Sequence, residues 1–300
     1  MTEELRYYAR SERHLQALQT WLEASLPSYP ASVASGGSDP VQSKLFPLLK
    51  TKELGGVVLY SPTLASTQTM LRETLKPSAP AGVVCYTELQ SGGKGRGTNT
   101  WSSPEGCLTF SFQSVFTDVP GSAGPVKIKW PNDIYANQAK IGGILCQSEY
   151  RDGKFSVTTG IGINISNQTP TICLQDILGT EEHPCTVTKE EFLAAFCNAY
   201  EPMEKLFLEK GFEPFMADYV ARWLHTDQVV QVASGDDASG KKVPAVIKGL
   251  TSTGCLLAQA QVVGHSNAEA HKMKIFVFSL GSELFFPLDE SLQLVLADGL

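Results

Sequence analysis

Leu15, Leu18, Trp21 and Leu22 recur at helical spacing, which predicts one helix over residues 1 to 26. The next stretch, PSYPASVASGGSDPVQSK (27 to 44), is rich in Pro, Gly and Ser and reads as a linker. Residues 1–55 are therefore expected to form an N-terminal extension, and one weak helix does not make a helix-turn-helix head. From Gly56 the pattern alternates between strand and helix. VVLYS (57 to 61), GVVCYTEL (82 to 89), CLTFSFQSVF (107 to 116) and VKIKW (126 to 130) predict strands. STQTMLRETL (66 to 75) predicts a helix capped by Ser66 or Thr67. KIGGILCQSEY (140 to 150) and KFSVTTGIGINIS (154 to 166) predict a hairpin turning at Arg151, Asp152 and Gly153. Residues 188 to 225 are helical, with Thr188 and Glu191 in capping-box spacing. After Trp223-Leu224-His225 five short strand patterns follow, VVQVAS, VPAVIKGLT, GCLLAQAQVV, KIFVFSLG and SLQLVLA, and they predict a small barrel. The expected organisation is an extension (1–55), a main domain (56–225) and a C-terminal barrel domain (226–300).

Composition narrows the possible functions. A net charge of −7 disfavours broad binding to nucleic-acid backbones. No apolar run reaches 18 residues, so no membrane span is expected, and no apolar signal core opens the chain. The cytoplasm is the expected address. Seven cysteines, an odd number without a CxxC pair, read as reduced thiols, several of them in apolar runs. The five histidines show no metal-ligand spacing, and no GxSxG elbow occurs.

The chemistry concentrates in two stretches. QSGGKGRGTNTW (90 to 101) exposes backbone N–H groups and brings cations close together, as an anion cradle does. It matches neither the Walker loop nor GxGxxG, and taken alone it reads equally as a solvated surface loop. Trp101 could offer a π-face to a base or fill a core. KWPNDIYANQAKIGGIL (129 to 145) is more telling. Pro131 should stop the strand and leave Asn132 and Asp133 at its end. Lys140 follows seven residues after Asp133, and Gly142 and Gly143 then allow a ligand close to the backbone.

Taken together, Gln90, GGKGRG, Trp101, Ser103-Pro104, Gly106, KWPND, KIGGIL and GIGIN resemble the biotin protein ligases (holocarboxylase synthetases), with wording most similar to plant members. The resemblance spans 57 to about 225 well and the barrel loosely. It implies an α+β fold: a mixed, largely antiparallel sheet with helices, like class II aminoacyl-tRNA synthetases and biotin synthetases, plus an SH3-like barrel. It also implies ATP-dependent ligation of biotin to a lysine of biotin-dependent carboxylases or their biotin carboxyl carrier domain. ATP, Mg²⁺ and biotin are the implied small molecules, with no nucleic acid and no membrane among the partners.

By the same resemblance Ser66, Thr67, Gln90, Gly93, Gly143 and Ile144 contact biotin. Arg96 and Lys140 are the catalytic cations and touch both biotin and nucleotide. Lys94, Trp101, Asn132, Asp133 and Asn164 lie at the ATP, with Asp133 either near a metal or orienting Lys140. The basic loop is expected to be mobile when empty. Lys94 stands where many members carry an arginine, and Gln68 where an Asn often follows the Ser-Thr pair. Members also carry an apolar helix between the strand ending near Phe112 and VKIKW, where this chain has only SVFTDVPGSAGP (114 to 125). A weakened scaffold is therefore expected, and a catalytically impaired biotin binder is one alternative. Acyl transfer of the lipoate ligase or octanoyltransferase type is the other.

Overall fold

The structure, a computed structural model, describes residues 5–25, 31–33, 39–74, 79–116, 127–151, 154–167, 171–179, 186–233, 242–251, 254–260 and 274–278. The chain divides into two units, Met1–Ile128 with Asn132–Tyr219, and Lys129–Pro131 with Val220–Leu300. The elements in chain order are β1 (Leu5–Ala9), α1 (Glu12–Ser25), β2 (Ala31–Val33), β3 (Val57–Leu64), α2 (Thr67–Thr69), β4 (Val84–Gln90) and β5 (Cys107–Phe116). There follow β6 (Lys127–Lys129), β7 (Asp133–Ala136), β8 (Ala139–Arg151), β9 (Lys154–Asn164), α3 (Leu174–Leu178), α4 (Lys189–Lys210) and α5 (Glu213–Arg222). Strands β10 (Val229–Ala233), β11 (Lys242–Leu250), β12 (Leu256–Ala260) and β13 (Lys274–Phe278) complete the described chain.

The larger sheet has nine strands in the order β2-β1-β3-β4-β5-β9-β8-β7-β6. The β1–β2 and β3–β4 pairs are parallel, while β1–β3, β4–β5, β5–β9, β8–β9 and β7–β8 are antiparallel. The expected mixed, largely antiparallel α+β architecture is what the chain adopts. Strand alternation in β5 sorts the two faces. Leu108, Phe110 and Phe112 are buried in the main core, and both phenylalanines meet Phe196 of α4 edge-on or tilted. Thr109, Ser111 and Gln113 face the other way, where polar side chains gather. On that side of β1 and β3, Leu18 and Trp21 of α1 pack with Tyr7 and Leu59.

The N-terminal residues differ from the expectation. Residues 5–9 are a strand, and β1 is built into the sheet against β3, so this segment is no detached extension. Leu5, Tyr7 and Tyr8 are fully buried there. The helical spacing holds only from Glu12 onward. The segment is anchored further by Glu201 of α4, whose carboxylate accepts the backbone N–H groups of Lys52, Glu53 and Leu54 at 2.6, 2.7 and 2.9 Å. Burial acts to raise the Glu201 pKa, but these three donors, helped by the charge of Arg10, outweigh it and hold the carboxyl below its ordinary 4.5. That stability is present above 4.5 and is lost as pH falls through the lowered value. Glu201→Ala is expected to cost about 2 kcal/mol at neutral pH, or roughly 4–8 °C in Tm. Thermal unfolding of both proteins should show this gap closing at acid pH.

Other boundaries shift less. The helix expected over 66 to 75 is one α-turn, α2, followed by a wider helical turn over Met70–Thr74. The long helix expected from 188 breaks after Lys210, with Gly211 at positive φ, into α4 and α5. The Thr188–Glu191 capping box forms as expected. Strand β7 was not foreseen. It pairs with β8 through a two-residue turn in which Asn137 and Gln138 both take positive φ (46° and 64°), the geometry that fits strand twist.

The expected boundary at 226 compares with a division at Tyr219–Val220, and Lys129–Pro131 falls to the second unit. That unit contains an antiparallel sheet in the order β10-β11-β12-β13. The fifth barrel strand, SLQLVLA, lies outside the described residues. So do residues 117–126, and with them most of the connection expected to be short. The core face of β5 before that connection is covered by α4, whereas Tyr150 and Phe155, ring-paired at 4.7 Å, stand 66% and 52% exposed at the far end of β8 and β9.

Candidate active site

The site is assembled on the polar face of β4, β5, β9 and β8. Ser66 ends β3's excursion in extended backbone and caps α2, its hydroxyl accepting the Thr69 N–H at 3.4 Å. Thr67 donates its N–H to Gln90 Oε1 at 2.8 Å, and its hydroxyl lies 3.2 Å from the same oxygen. Gln90 Nε2 in turn donates to Ser103 Oγ at 3.2 Å. Thr67 Oγ1 also lies 2.9 Å from Ser111 Oγ, and Ser111 donates to Gln68 Oε1 at 3.1 Å. The Gln68 amide donates to Gln147 Oε1 at 3.0 Å and to the Thr158 carbonyl at 3.1 Å. A buried polar chain thus runs from Gln90 through Thr67 and Ser111 to Gln147. Each member is partnered, which is what burial demands.

The glycine-rich loop folds as a small hairpin. Lys94 bridges Thr100, the Trp101 N–H donates to the Gly93 carbonyl at 2.9 Å, and Gly95 N–H donates to Asn99 O at 2.8 Å. A Cβ at Gly93 would lie 2.5 Å from the Trp101 carbonyl oxygen, so only glycine lets the hairpin close. Lys94 stands 3.9 Å from Glu73 with both side chains largely exposed, a weak pair. Arg96 reaches inward, Nη1 to Asn132 Oδ1 at 3.5 Å, and Asn132 Nδ2 donates to the Ile144 carbonyl at 3.1 Å.

Trp101 closes this arrangement. Gly143 of β8 and Gly162 of β9 are register partners, so two residues without side chains face each other across the ladder. The indole lies on that bare patch: a Cβ at Gly162 would be 2.4 Å from Trp101 Cε2, and one at Gly143 3.4 Å from Cζ3. Lys140 Nζ sits 5.6 Å from the indole centroid, within cation–π range. The same ammonium donates to Asp133 Oδ1 at 2.7 Å across the β7–β8 pair. Cys107 is buried beneath, its thiol pushed up to about 11 by burial against a smaller opposing effect of Trp101. The array can hold an aromatic base against Trp101 and place two cations, Lys140 and Arg96, over anionic groups.

Related sequences bear on this geometry. The model of the Biotin/lipoate A/B protein ligase family matches residues 60–118 and 117–164, in two pieces that overlap at residues 117–118. Biotin–protein ligase 2 of Arabidopsis thaliana is 37% identical over 236 residues, covering 70% of this chain and 71% of its own length. The chain belongs to the biotin protein ligase family. A second family relative, the chloroplastic biotin–protein ligase 1 of Arabidopsis thaliana, is also 37% identical, over 234 residues, and the match spans 69% of this chain and 64% of that relative. Among solved structures, a mutant biotin protein ligase from Aquifex aeolicus in complex with biotin aligns with TM-score 0.55 at 22% identity, over 77% of this chain and 98% of that one. The Aquifex aeolicus ligase in complex with biotin and ATP aligns with TM-score 0.52 at 23% identity, over 73% and 98%. These two alignments establish the fold.

Within the family fold, the geometry brings most of the expected site residues together. Ser66, Thr67, Gln90 and Gly93 lie along the polar chain and the hairpin base. Arg96, Trp101, Asn132, Asp133, Lys140 and Gly143 form one contact set. Ile144 differs, because its side chain packs against the main core, on the opposite face from Gly143. Its N–H and C=O are both taken up by Asn132. Asn164 is buried and donates to Thr171 Oγ1 at 2.9 Å and the Ile172 carbonyl at 3.3 Å. Thr171, unforeseen, donates in turn to the Lys140 carbonyl at 2.5 Å and so fixes the start of β8. Ser111 and Gln147 were also missed, since strand polarity alone does not say which hydroxyl or amide will join a chain.

Proposed function

We propose that this chain ligates biotin to a lysine of an acceptor protein in two ATP-dependent steps. In the first, a biotin carboxylate oxygen attacks the α-phosphorus of ATP, the bond to the β-phosphate oxygen breaks, and pyrophosphate leaves biotinyl-5′-AMP. In the second, an acceptor lysine amine attacks the acyl carbon, the amide forms, AMP departs with the mixed-anhydride oxygen, and the amine proton is released. The observation that carries this reading is the convergence of Lys140 and Arg96 on the face where Trp101 lies over the Gly143–Gly162 pair. Two anions must meet there, and unit charges 4 Å apart repel by about 4 kcal/mol at an effective dielectric near 20. Lys140 would bridge the biotin carboxylate and the α-phosphate, and Arg96 would sit over the phosphate and acyl oxygens. Asp133 orients Lys140, its oxygen 2.7 Å from the ammonium. Trp101 would carry the adenine and Asn132 the phosphates, while Ser66, Thr67 and Gln90 would hydrogen-bond the biotin head. Asn164 would act through Thr171 at the nucleotide side.

Mg²⁺ would arrive with the triphosphate. Among the described residues no three acidic, histidine or cysteine groups cluster as a resident metal cage, and Asp133 offers a carboxylate oxygen of the kind a phosphate-borne Mg²⁺ takes. The ion would neutralise phosphate charge. Biotin-dependent carboxylases, or the carrier domain within them, are the proposed acceptors. A cytosolic, reducing setting suits the six described cysteines, all of them free thiols. Among the described residues no helix is long and apolar enough to cross a membrane.

Biotin-dependent exchange of labelled pyrophosphate into ATP is the test. The chain should catalyse it with biotin and not with lipoate or octanoate. Exchange with lipoate alone would favour the acyl-transfer relatives. Tight biotin binding without exchange would favour an impaired binder, the reading that the break in the family match at 117–118 raises.

A further inference from the structure

His225 is 3% exposed and belongs to the same unit as Lys129–Pro131. Its Nε2 accepts the backbone N–H of Trp130 at 3.0 Å, and its Nδ1 lies 2.8 Å from Gln228 Oε1. A backbone amide can only donate, so Nε2 must present a lone pair and the ring proton must sit on Nδ1, facing the Gln228 oxygen. The imidazole is therefore neutral and held in one tautomer. Trp223 packs edge-on against it at 5.6 Å. Trp130 is held at a second point, its indole N–H donating to the Gly254 carbonyl at 3.1 Å. Two residues beyond Trp130 Asn132 meets Arg96, and three beyond it Asp133 meets Lys140.

We propose that His225 is a positioning residue for the adenylating site, acting through the Trp130 amide to set the direction in which the chain delivers Asn132 and Asp133. The inference rests on the biotin-adenylation reading. Protonation at Nε2 would turn the acceptor into a donor facing a donor, and the Trp130 anchor would be lost. Burial opposes that proton first, the nearby charge of Lys129 opposes it further, and the Gln228 contact acts the other way. The net pKa lies below the ordinary 6.5. The next charged pair along the turn, Asp227 with Lys248 at 2.6 Å, is exposed.

The test compares wild type, His225→Gln and His225→Leu in biotin-dependent pyrophosphate exchange, with ¹⁵N spectra of the histidine rings. Leucine removes the acceptor and should lower kcat by about tenfold or more, the worth of one buried hydrogen bond, with the biotin KM within about threefold of wild type. Glutamine restores an uncharged acceptor, and should recover kcat to within about fivefold and lack the wild-type fall in rate on the acid side. Wild-type kcat in the leucine variant, or an unchanged acid limb in the glutamine variant, would overturn the proposal. If the leucine variant does not fold, the glutamine pH profile decides alone. The ring spectra need no activity: an Nδ1–H tautomer supports the contact, and an Nε2–H tautomer overturns it. A wild-type chain with the Nδ1–H tautomer but no exchange would sink the adenylation reading, not the contact.

Discussion

Lys140→Ala is expected to reduce biotin-dependent pyrophosphate exchange by about a thousandfold in kcat, the scale of one lost group that stabilises transition-state charge. The geometry argues for a loss at the upper end. Lys140 is the ammonium beside Trp101, and its partner Asp133 is only 20% exposed at the side chain. Removing the cation does more than delete an attraction. It leaves the Asp133 carboxylate unneutralised where two further anions must approach, so repulsion adds to the missing stabilisation. Lys140→Arg keeps the charge but broadens the head group and should recover only part of the rate. Lys140→Ala together with Asp133→Asn should be less damaged than the sum of the two single changes, because the orphaned carboxylate is gone. Melting temperature should move little in Lys140→Ala, since the side chain is partly exposed. More than about a tenth of the wild-type kcat in the alanine variant would show that Lys140 does not bridge the carboxylate and the α-phosphate.

Gly162→Ala is the second large effect, and it acts through Trp101. A methyl at this position falls 2.4 Å from Cε2 and 2.6 Å from Nε1 of the indole, well inside contact distance. The ladder backbone is fixed by its pairing with Thr109 and Gly143, so the ring is what must move. If Trp101 carries adenine, lifting it off the glycine patch should raise the KM for ATP by roughly ten- to a hundredfold, the worth of one base stacked on an aromatic ring. Biotin affinity should change far less, because Ser66, Thr67 and Gln90 are untouched. Trp101→Phe in the same background supplies the reference for the fluorescence change on displacement. An unchanged ATP KM in Gly162→Ala, with the indole shown to have moved, would separate Trp101 from nucleotide binding.

Strands β5 and β9 were legible in the sequence because their alternation and β-forming residues run for ten and eleven positions. So was the pairing of the basic loop with KWPND and KIGG, through the resemblance of those motifs to the biotin protein ligases. The face of Ile144 was also legible, though the expectation set it beside Gly143. Neighbours on a strand point to opposite sides, so one position over the site put the other in the core. Strand β1 was not legible, because five residues of LRYYA run into the helical spacing of α1 and find their partner about fifty positions later in β3. Nor was the Asn164–Thr171–Lys140 relay, which depends on where a loop after β9 comes to rest.

The anchoring of residues 52–54 by Glu201 has a consequence for how the protein is made. These donors and their acceptor are separated by 147 to 149 positions. At synthesis rates of about 5–20 residues per second, the N-terminal segment waits roughly 7–30 s on the ribosome before its carboxylate emerges. Through that interval β1 and β3 can pair, but the turn leading into β3 has three N–H groups with only water for partners. The sheet's first strands therefore enter a structure that the middle of α4 completes, so closure of the first unit is expected only after α4 has been made.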